Sequence, residues 1–466
     1  MQNYDILSFM LKRMFLKVKK ERDLTLGDIP RHLWILSIPL IISNLLQTAF
    51  ELINMIWVGR LGQVEVAAVA MSSSIIMVVI FIMIGIAIGT MALVSRSIGE
   101  KKIGQANKIA MQSLILGFIG SIILGIIGYI LSAPLLRLLG AEEAVVAVGT
   151  TYLHITFIGI IAMFYANLIA AILQGAGDSI TPMIILTIST VLNIILDPLL
   201  IYGIGFFPCW GVPGAAVASV IARGIGSLIA LEVLLRGRSR LKLRIKDIKI
   251  DWDIIKRILN IGIPSSIQTT LRGLMGIALI AVVASFGTAA IAAYGIGFRL
   301  NMLLMMPGFA FGMASASMVG QNLGAKKIDR AVKSAWTAVR YYGIFMLVMA
   351  FVFFFFAAHL IMIFNHDAEI IKIGSELLMV MAFGTPFTAL GLILDRSLSG
   401  AGDTVVTMIN TLIALWLIQI PLAIYLAHYT SIGIYGIWIA TVIAQIVLSA
   451  LNTARFISGK WKYRHI

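Results

Sequence analysis

Gly175-Ala176-Gly177-Asp178 returns as Gly400-Ala401-Gly402-Asp403, and Gly99-Glu100-Lys101-Lys102-Ile103 returns as Gly324-Ala325-Lys326-Lys327-Ile328, both at a separation of 225 residues (400 − 175). The same offset relates Ile38-Pro39 to Ile263-Pro264, Gly62 to Gly287, Ala67-Ala68 to Ala292-Ala293 and Ala106 to Ala331. Hydrophobic stretches resemble one another by chance, but a register held from the start of each half to its fifth helix is hard to reach that way. The chain therefore reads as a duplication.

What is duplicated follows from the solvent the sequence demands. Of 466 residues, 60% are hydrophobic and 12% charged, with a mean hydropathy of +1.00. A set of soluble domains does not carry that composition. Apolar runs recur along the chain, each long enough to cross a hydrocarbon core of about 30 Å as a helix. Their predicted spans are 33–57, 66–92, 107–131, 147–172, 180–203, 211–235, 256–285, 288–315, 332–358, 369–397, 404–427 and 432–457. The fold class expected is an all-α integral membrane protein of about twelve transmembrane helices. Six helices per half is an even number, so the halves are parallel repeats, related by an axis along the membrane normal, with a central cleft suited to alternating access. The expected division is a cytoplasmic arm over 1–32, a first bundle over 33–235, a basic linker with a short interfacial helix over 236–255, a second bundle over 256–457 and a tail over 458–466.

The formal net charge is +15, and its placement decides its meaning. Basic residues gather in the N-terminal arm (Lys12, Arg13, Lys17, Lys19, Lys20, Arg22, Arg31), in alternate loops (Arg96, Lys101, Lys102 and Lys108; Arg236 to Arg257; Lys326, Lys327, Arg330 and Lys333) and at the C-terminus (Arg455, Lys460, Lys462, Arg464). That alternation is the positive-inside pattern, which puts both termini in the cytoplasm and reads as contact with anionic lipid instead of nucleic acid. The first 31 residues have no long apolar core with a small-residue cleavage site, so no cleavable signal peptide is expected. A single cysteine, Cys209, excludes an intramolecular disulfide and a cysteine metal site.

Ionisable residues inside a span are costly and mark function. In the first helix Asn44, Gln47, Glu51 and Asn54 are spaced 3, 4 and 3, which places them on one stripe that must face protein or water. The amides are equally well read as interhelical hydrogen-bonding groups. In the fifth helix Asn193 and Asp197 share a face, followed by Pro198, which frees a carbonyl beside the carboxylate. Glu51 and Asp197 both fall six residues or so from the outer end, so they are expected to be level, two acids in one poorly solvated pocket able to trade a proton or Na⁺. The cation-coupling candidates are thus Glu51, Asn54, Asn193 and Asp197, with Na⁺ at Glu51, Asn193 and Asp197. The bland alternative for Asp197 is an ion pair with Arg223.

Candidates for a substrate cleft are Gln47, Asn44, Gln268, Arg272, Met302 and Met306, the methionines from a soft run that also includes Met305, Met313 and Met318 and that also suits ordinary packing. Asp395-Arg396 is read as a structural pair, and Asp178 and Asp403 as N-caps of the helices that follow them. No phosphate-binding loop, His-Glu-x-x-His motif or catalytic triad is present, which disfavours an ATP-driven pump and an enzyme.

The segment Pro39 to Gly62 ending Trp57-Val58-Gly59-Arg60-Leu61-Gly62, the stretch Leu93-Val94-Ser95-Arg96 to Gly99, Leu173-Gln174-Gly175-Ala176-Gly177-Asp178 and Asn193 through Asp197-Pro198 resemble the multidrug and toxic compound extrusion (MATE) family. With the six-plus-six repeat, the resemblance covers essentially the whole chain. It implies a plasma-membrane antiporter, without a cofactor, that expels small cationic, amphipathic molecules in exchange for Na⁺ or H⁺, acting as a monomer. It implies a cation site using Asp197 and Asn193, and bending at Pro39, to which the helix-breaking chemistry of Pro198 is added. One departure stands out: where the family commonly has an aspartate fifteen residues after that proline, this chain has Asn54, and Glu51 is the candidate replacement for its charge. A lipid-linked oligosaccharide flippase of the same broad superfamily is the main alternative, because of Arg223, Arg272 and Arg299; a channel is the remoter one.

Overall fold

The computed structural model describes residues 23–205, 207–243, 248–464 and 466. Among them the chain is helical, with no strand, as a lipid solvent requires: only a helix satisfies its backbone amides and carbonyls within one segment. In the first half the helices are α1 (Ile29–Gly59), α2 (Gln63–Gly99), α3 (Ile103–Leu138), α4 (Glu143–Ile158), α5 (Ile160–Gly175), α6 (Ile180–Tyr202) and α7 (Val212–Leu235). In the second half they are α8 (Trp252–Ala284), α9 (Thr288–Gly324), α10 (Ile328–Phe355), the short α11 (Ala357–Met362), α12 (Ala368–Gly400), α13 (Thr404–Thr411), a π-helix over Leu412–Gln419, α14 (Ile420–His428) and α15 (Tyr435–Ile457).

Eleven spans among the described residues are long and apolar enough to cross a membrane, and the bent pair α4 and α5 makes a twelfth. Several helices overrun their apolar windows. α2 has 37 residues, about 55 Å at 1.5 Å per residue, against a hydrocarbon core of about 30 Å. Hydropathy marks where lipid ends; backbone hydrogen bonding continues through Arg96 to Gly99 regardless.

Two expected spans differ in form. The stretch 147–172 is broken at Gly159, where α4 and α5 meet at 50°. A Cβ at Gly159 would come within 2.4 Å of Val220, so the break lets α7 approach closely. The stretch 404–427 contains the π-helix, and Pro421, in the first turn of α14, lacks the amide an unbroken α ladder would use.

The duplication is visible in the backbone. Lys101 and Lys326, 225 apart, both adopt left-handed conformations (φ 61° and 58°), as do Gly177 and Gly402 (φ 87° and 85°). Each follows a helix end closed in the same way: Lys102 N donates to Ser97 O (3.0 Å) and Lys327 N to Asn322 O (2.8 Å), while Asp178 N donates to Leu173 O (2.8 Å) and Asp403 N to Leu398 O (2.9 Å). The packing repeats as well. A Cβ on Gly175 would lie 2.9 Å from Met91 O, and one on Gly400 would lie 2.4 Å from Ala316 O, again at the common offset.

The described residues divide into two compact units, residue 23 with the stretch 38–260 and residues 24–37 with the stretch 261–466. The division falls inside α1, between Ser37 and Ile38, next to Pro39, whereas the sequence alone placed all of 33–57 in the first bundle. Within the second unit Leu24 is buried, and carbonyls of the segment before α1 accept from Lys327 Nζ (Thr25 O, 2.9 Å) and Arg330 (Leu24 O, 3.3 Å; Leu26 O, 2.9 Å). Within the first unit the connection after α7 is strapped to α3: Asn107 Oδ1 accepts from Lys242 N, and Gln112 both donates to Lys249 O and accepts from Asp251 N. The interfacial helix expected there overlaps 244–247, and Lys12, Arg13, Lys17, Lys19, Lys20, Arg22, Arg244 and Lys246 likewise lie outside the described residues.

Candidate functional site

In the first unit, α6 carries its polar residues on the face turned into the bundle. Thr190, Asn193 and Asp197 are spaced 3 and 4, so they stack on one stripe, and all three are buried, the last two completely. Asn193 Nδ2 donates to Asp197 Oδ1 (3.0 Å) and reaches Ser219 Oγ of α7 (3.4 Å). Asn54 of α1, also buried, donates its own Nδ2 to the same Ser219 Oγ (3.4 Å). Three helices thus meet through one hydroxyl. Tyr202 Oη, donating to Trp57 O (2.7 Å), ties the far end of α6 to α1.

This network is incomplete in a particular way. Asn54 Oδ1, Asn193 Oδ1, Asp197 Oδ2 and Thr190 Oγ1 are buried with no hydrogen-bond partner among the described residues. A buried polar oxygen left unpaired costs on the order of 1–3 kcal/mol, so this stretch of α6 and α1 carries several such costs at once. Carboxylate, amide carbonyl and hydroxyl oxygens are the donors a hard cation takes. No cluster of three His, Cys, Asp or Glu residues exists among the described residues, so the donor set is one carboxylate supported by neutral oxygens.

Glu51 is not in that cluster. It is exposed and accepts from Gln47 Nε2 one turn earlier (2.9 Å), and no hydrogen bond joins it to Asp197. The expected pocket of two buried acids is therefore replaced by one buried acid and three neutral partners. The reason is angular: Glu51 precedes Asn54 by three residues, about 300° around the helix, so it lies roughly 60° to one side. That offset is enough to leave one residue at the surface of the unit and the other inside it. Asn44 and Gln47 are half-buried.

Asp197 does not pair with Arg223. The Arg223 guanidinium sits over the Phe50 ring (4.9 Å) with Nη1 3.2 Å from Met163 Sδ, within electrostatic range of Tyr152 and Glu51. Pro39 and Pro198 lie within uninterrupted helices, and Ser43 Oγ donates to Pro39 O (2.9 Å). Ser219 and Thr190 were missed from sequence. Thr190 had a legible signal in its spacing to Asn193; Ser219, in an alanine-rich helix, had none.

The second unit holds a different cluster. Gln268 is buried (3% exposed), and its Nε2 donates to Asp395 Oδ1 (2.7 Å), Thr407 O (3.0 Å) and Thr411 Oγ1 (3.0 Å). It is packed among polar groups of three helices. Arg272 Nη2 lies 3.3 Å from Asp395 Oδ2. The acid's ion-pair contact is thus with Arg272, while the adjacent Arg396 lies over Phe309 (5.7 Å) and feels Asp395 electrostatically without touching it. Neighbouring residues on a helix point about 100° apart, so adjacency in sequence opposes pairing. Arg299 and Met302 are exposed and Met306 is half-buried.

The two repeated aspartates have diverged. Asp178 caps α6, accepting from Ile180 N (3.1 Å), Thr181 N (3.0 Å) and Thr181 Oγ1 (2.6 Å). Asp403 makes no capping hydrogen bond; its buried carboxylate is held by Arg455 (2.6 Å) and Arg464.

The MatE family profile matches residues 39–199 and 264–425, which restates the 225-residue repeat (264 − 39). The chain is 30% identical over 441 residues to the probable multidrug resistance protein YoeA of Bacillus subtilis, covering 94% of this chain and 95% of that one. It is 28% identical over 444 residues to the probable multidrug resistance protein NorM of Thermotoga maritima (94% of each chain), and 26% identical over 434 residues to an FAD transporter of Shewanella oneidensis (92% and 95%). Among solved structures it is similar to a MOP superfamily transporter from Pyrococcus furiosus, at 26% identity and a TM-score of 0.87 over 96% of this chain and 99% of that one. A MATE crystal structure in a bent conformation has a TM-score of 0.88 at 26% identity, over 94% and 98% of the two chains.

Proposed function

This chain belongs to the MatE family of multi-pass membrane transporters and is not an enzyme, and we propose that it is a secondary antiporter exporting small organic, cationic amphipathic compounds in exchange for Na⁺ or H⁺. The observation carrying this reading is the Asp197 carboxylate, completely buried in a membrane span and linked through Asn193 and Ser219 to Asn54, with unpaired oxygens left on Asp197, Asn193 and Asn54 among the described residues. One buried negative charge without a cationic partner is costly. A bound Na⁺ or a proton relieves that cost, so the ion is a co-substrate whose presence changes the energy of this bundle by several kcal/mol.

The ion is linked to movement through α1. Asn54 brings α1 to the cluster, while the start of the same helix belongs to the second unit. Withdrawing Asn54 strips the cation of one ligand, so ion binding favours one setting of α1 over another, which is all that coupling requires. Glu51, exposed one turn before Asn54, serves in this reading as an acid that meets ions on the way to Asp197. Asn44, Gln47, Arg272, Met302 and Met306 are the proposed substrate-facing residues. The positive-inside pattern supports a cytoplasmic location for both termini, and a plasma-membrane monomer is part of the same proposal.

An anionic substrate is the second reading, favoured by Arg299, exposed with no acid partner among the described residues, and in keeping with the FAD transporter relative. Neutralisation of Arg272 by Asp395 weighs against the strongly cationic cavity of a flippase. The test loads proteoliposomes with a cationic dye and imposes a Na⁺ or a pH gradient separately. Asp197→Asn should abolish gradient-driven dye movement and Glu51→Gln should slow it. Wild-type transport by Asp197→Asn under both gradients would refute the coupling.

A further inference from the structure

A pocket of about 450 Å³ in the second unit is walled by the segment Gly27–Pro30 and by the first turns of α10. Its cationic lining on α10 comes from Arg330, Lys333 and Arg340, with Thr337 beside them. Arg330 is occupied by the carbonyls of Leu24 and Leu26. Lys333 and Arg340 are exposed, and neither has an acid partner among the described residues. The one carboxylate in the wall, Asp28, faces the amide of Arg31, to which it is bonded (3.1 Å). Between the two free cations Trp336 is 38% exposed.

The rest of α10 tells what this pocket meets. Lys333, Trp336 and Arg340 are spaced 3 and 4, and the stripe continues through Ile344, Leu347 and Phe351, all more than half exposed (51%, 57% and 57%). Arg340 to Phe351 is 11 residues, about 16 Å along the axis, or roughly half of a 30 Å hydrocarbon core. A single face of the helix thus presents two unpaired cations and a tryptophan, then an apolar track one leaflet deep. Tryptophan settles at headgroup level, and basic side chains there attract anionic lipid.

We propose that this face is a binding site for an anionic phospholipid, its phosphodiester between Lys333 and Arg340, and its acyl chains along Ile344, Leu347 and Phe351. The headgroup would also touch the segment before α1, so the lipid braces that segment against α10. The site is separate from the Asp197 cluster, and its existence does not depend on the transport reading.

The full-length chain is reconstituted in phosphatidylcholine bilayers containing a small fraction of either brominated phosphatidylglycerol or brominated phosphatidylcholine, and tryptophan fluorescence is recorded. The difference between wild type and Trp336→Phe isolates the signal of interest. Two charges at the membrane surface should favour phosphatidylglycerol by roughly tenfold to thirtyfold. That preference should vanish in Lys333→Gln/Arg340→Gln and persist in Lys326→Gln, which removes a neighbouring exposed charge. Equal quenching by the two lipids in wild type would overturn the proposal, and this arm needs no variant of the cations to fold. Recovery of Trp336 fluorescence on adding inorganic phosphate would assign the pocket to a free anion and overturn it as well.

Discussion

Asn193 Nδ2 donates to Asp197 Oδ1 at 3.0 Å, one turn away on α6, and leaves the acid's other oxygen with no partner inside the first unit. The amide restrains the carboxylate's orientation without neutralising it. Half of the acid's hydrogen-bonding capacity is thereby left open, which is what the proposed ion site uses.

That arrangement makes stability depend on the ion. In detergent, saturating Na⁺ should raise the unfolding temperature of the wild type if Na⁺ is the ligand, since binding at 100 times Kd contributes about 2.7 kcal/mol. Asp197→Asn should lose the Na⁺ response altogether and, in Na⁺-free buffer, should unfold later than wild type by about 1–2 kcal/mol, because an uncompensated buried charge is gone. Thermal scans of both proteins with and without Na⁺ check this; a Na⁺ response that survives in Asp197→Asn contradicts the assignment.

The two repeated aspartates should cost different amounts to remove. Asp178→Ala loses a helix cap, worth about 1 kcal/mol. Asp403→Ala strands two arginines that meet a buried carboxylate, and because those arginines are 21% and 35% exposed they can partly rehydrate, for a loss of about 2–3 kcal/mol. Unfolding of the two variants side by side decides it, equal losses being the outcome that would be wrong.

Close backbone approach at the repeat glycines gives a second asymmetry. A methyl group on Gly400 would lie 2.4 Å from Ala316 O, and one on Gly175 would lie 2.9 Å from Met91 O. Both glycines resist alanine because backbone is the obstacle, with overpacking costs of about 1–3 kcal/mol. Gly400→Ala should be the worse of the two, read as lower folded yield and an earlier thermal transition.

Arg272 and Asp395 should behave as a coupled pair. Asp395→Leu alone leaves Arg272 without its acid and removes one of the three acceptors of Gln268, and should cost about 3 kcal/mol, whereas Arg272→Met/Asp395→Leu should recover about 1–3 kcal/mol of the summed losses. Additive losses in a double-mutant cycle would mean that the 3.3 Å contact contributes nothing.

From the sequence alone came the spans, the 225-residue repeat and the stripe of Asn193 and Asp197, because each depends on local properties: apolar length, period and identity at a fixed offset. Helix rotation and helix pairing are not local. Whether Glu51 or Asn54 enters the bundle depends on how α1 is turned against α6 and α7, a matter of about 60° that amphipathic spacing does not resolve. Ser219 joins Asn54 to Asn193, and Arg272 pairs with Asp395, only because packing brings separate helices within hydrogen-bond or ion-pair reach. The break at Gly159 follows the same logic, since Val220 of another helix needs the room that the missing Cβ leaves. In a lipid solvent that rewards every apolar surface alike, close fit and polar pairing between helices choose the tertiary arrangement, and those choices are settled in three dimensions.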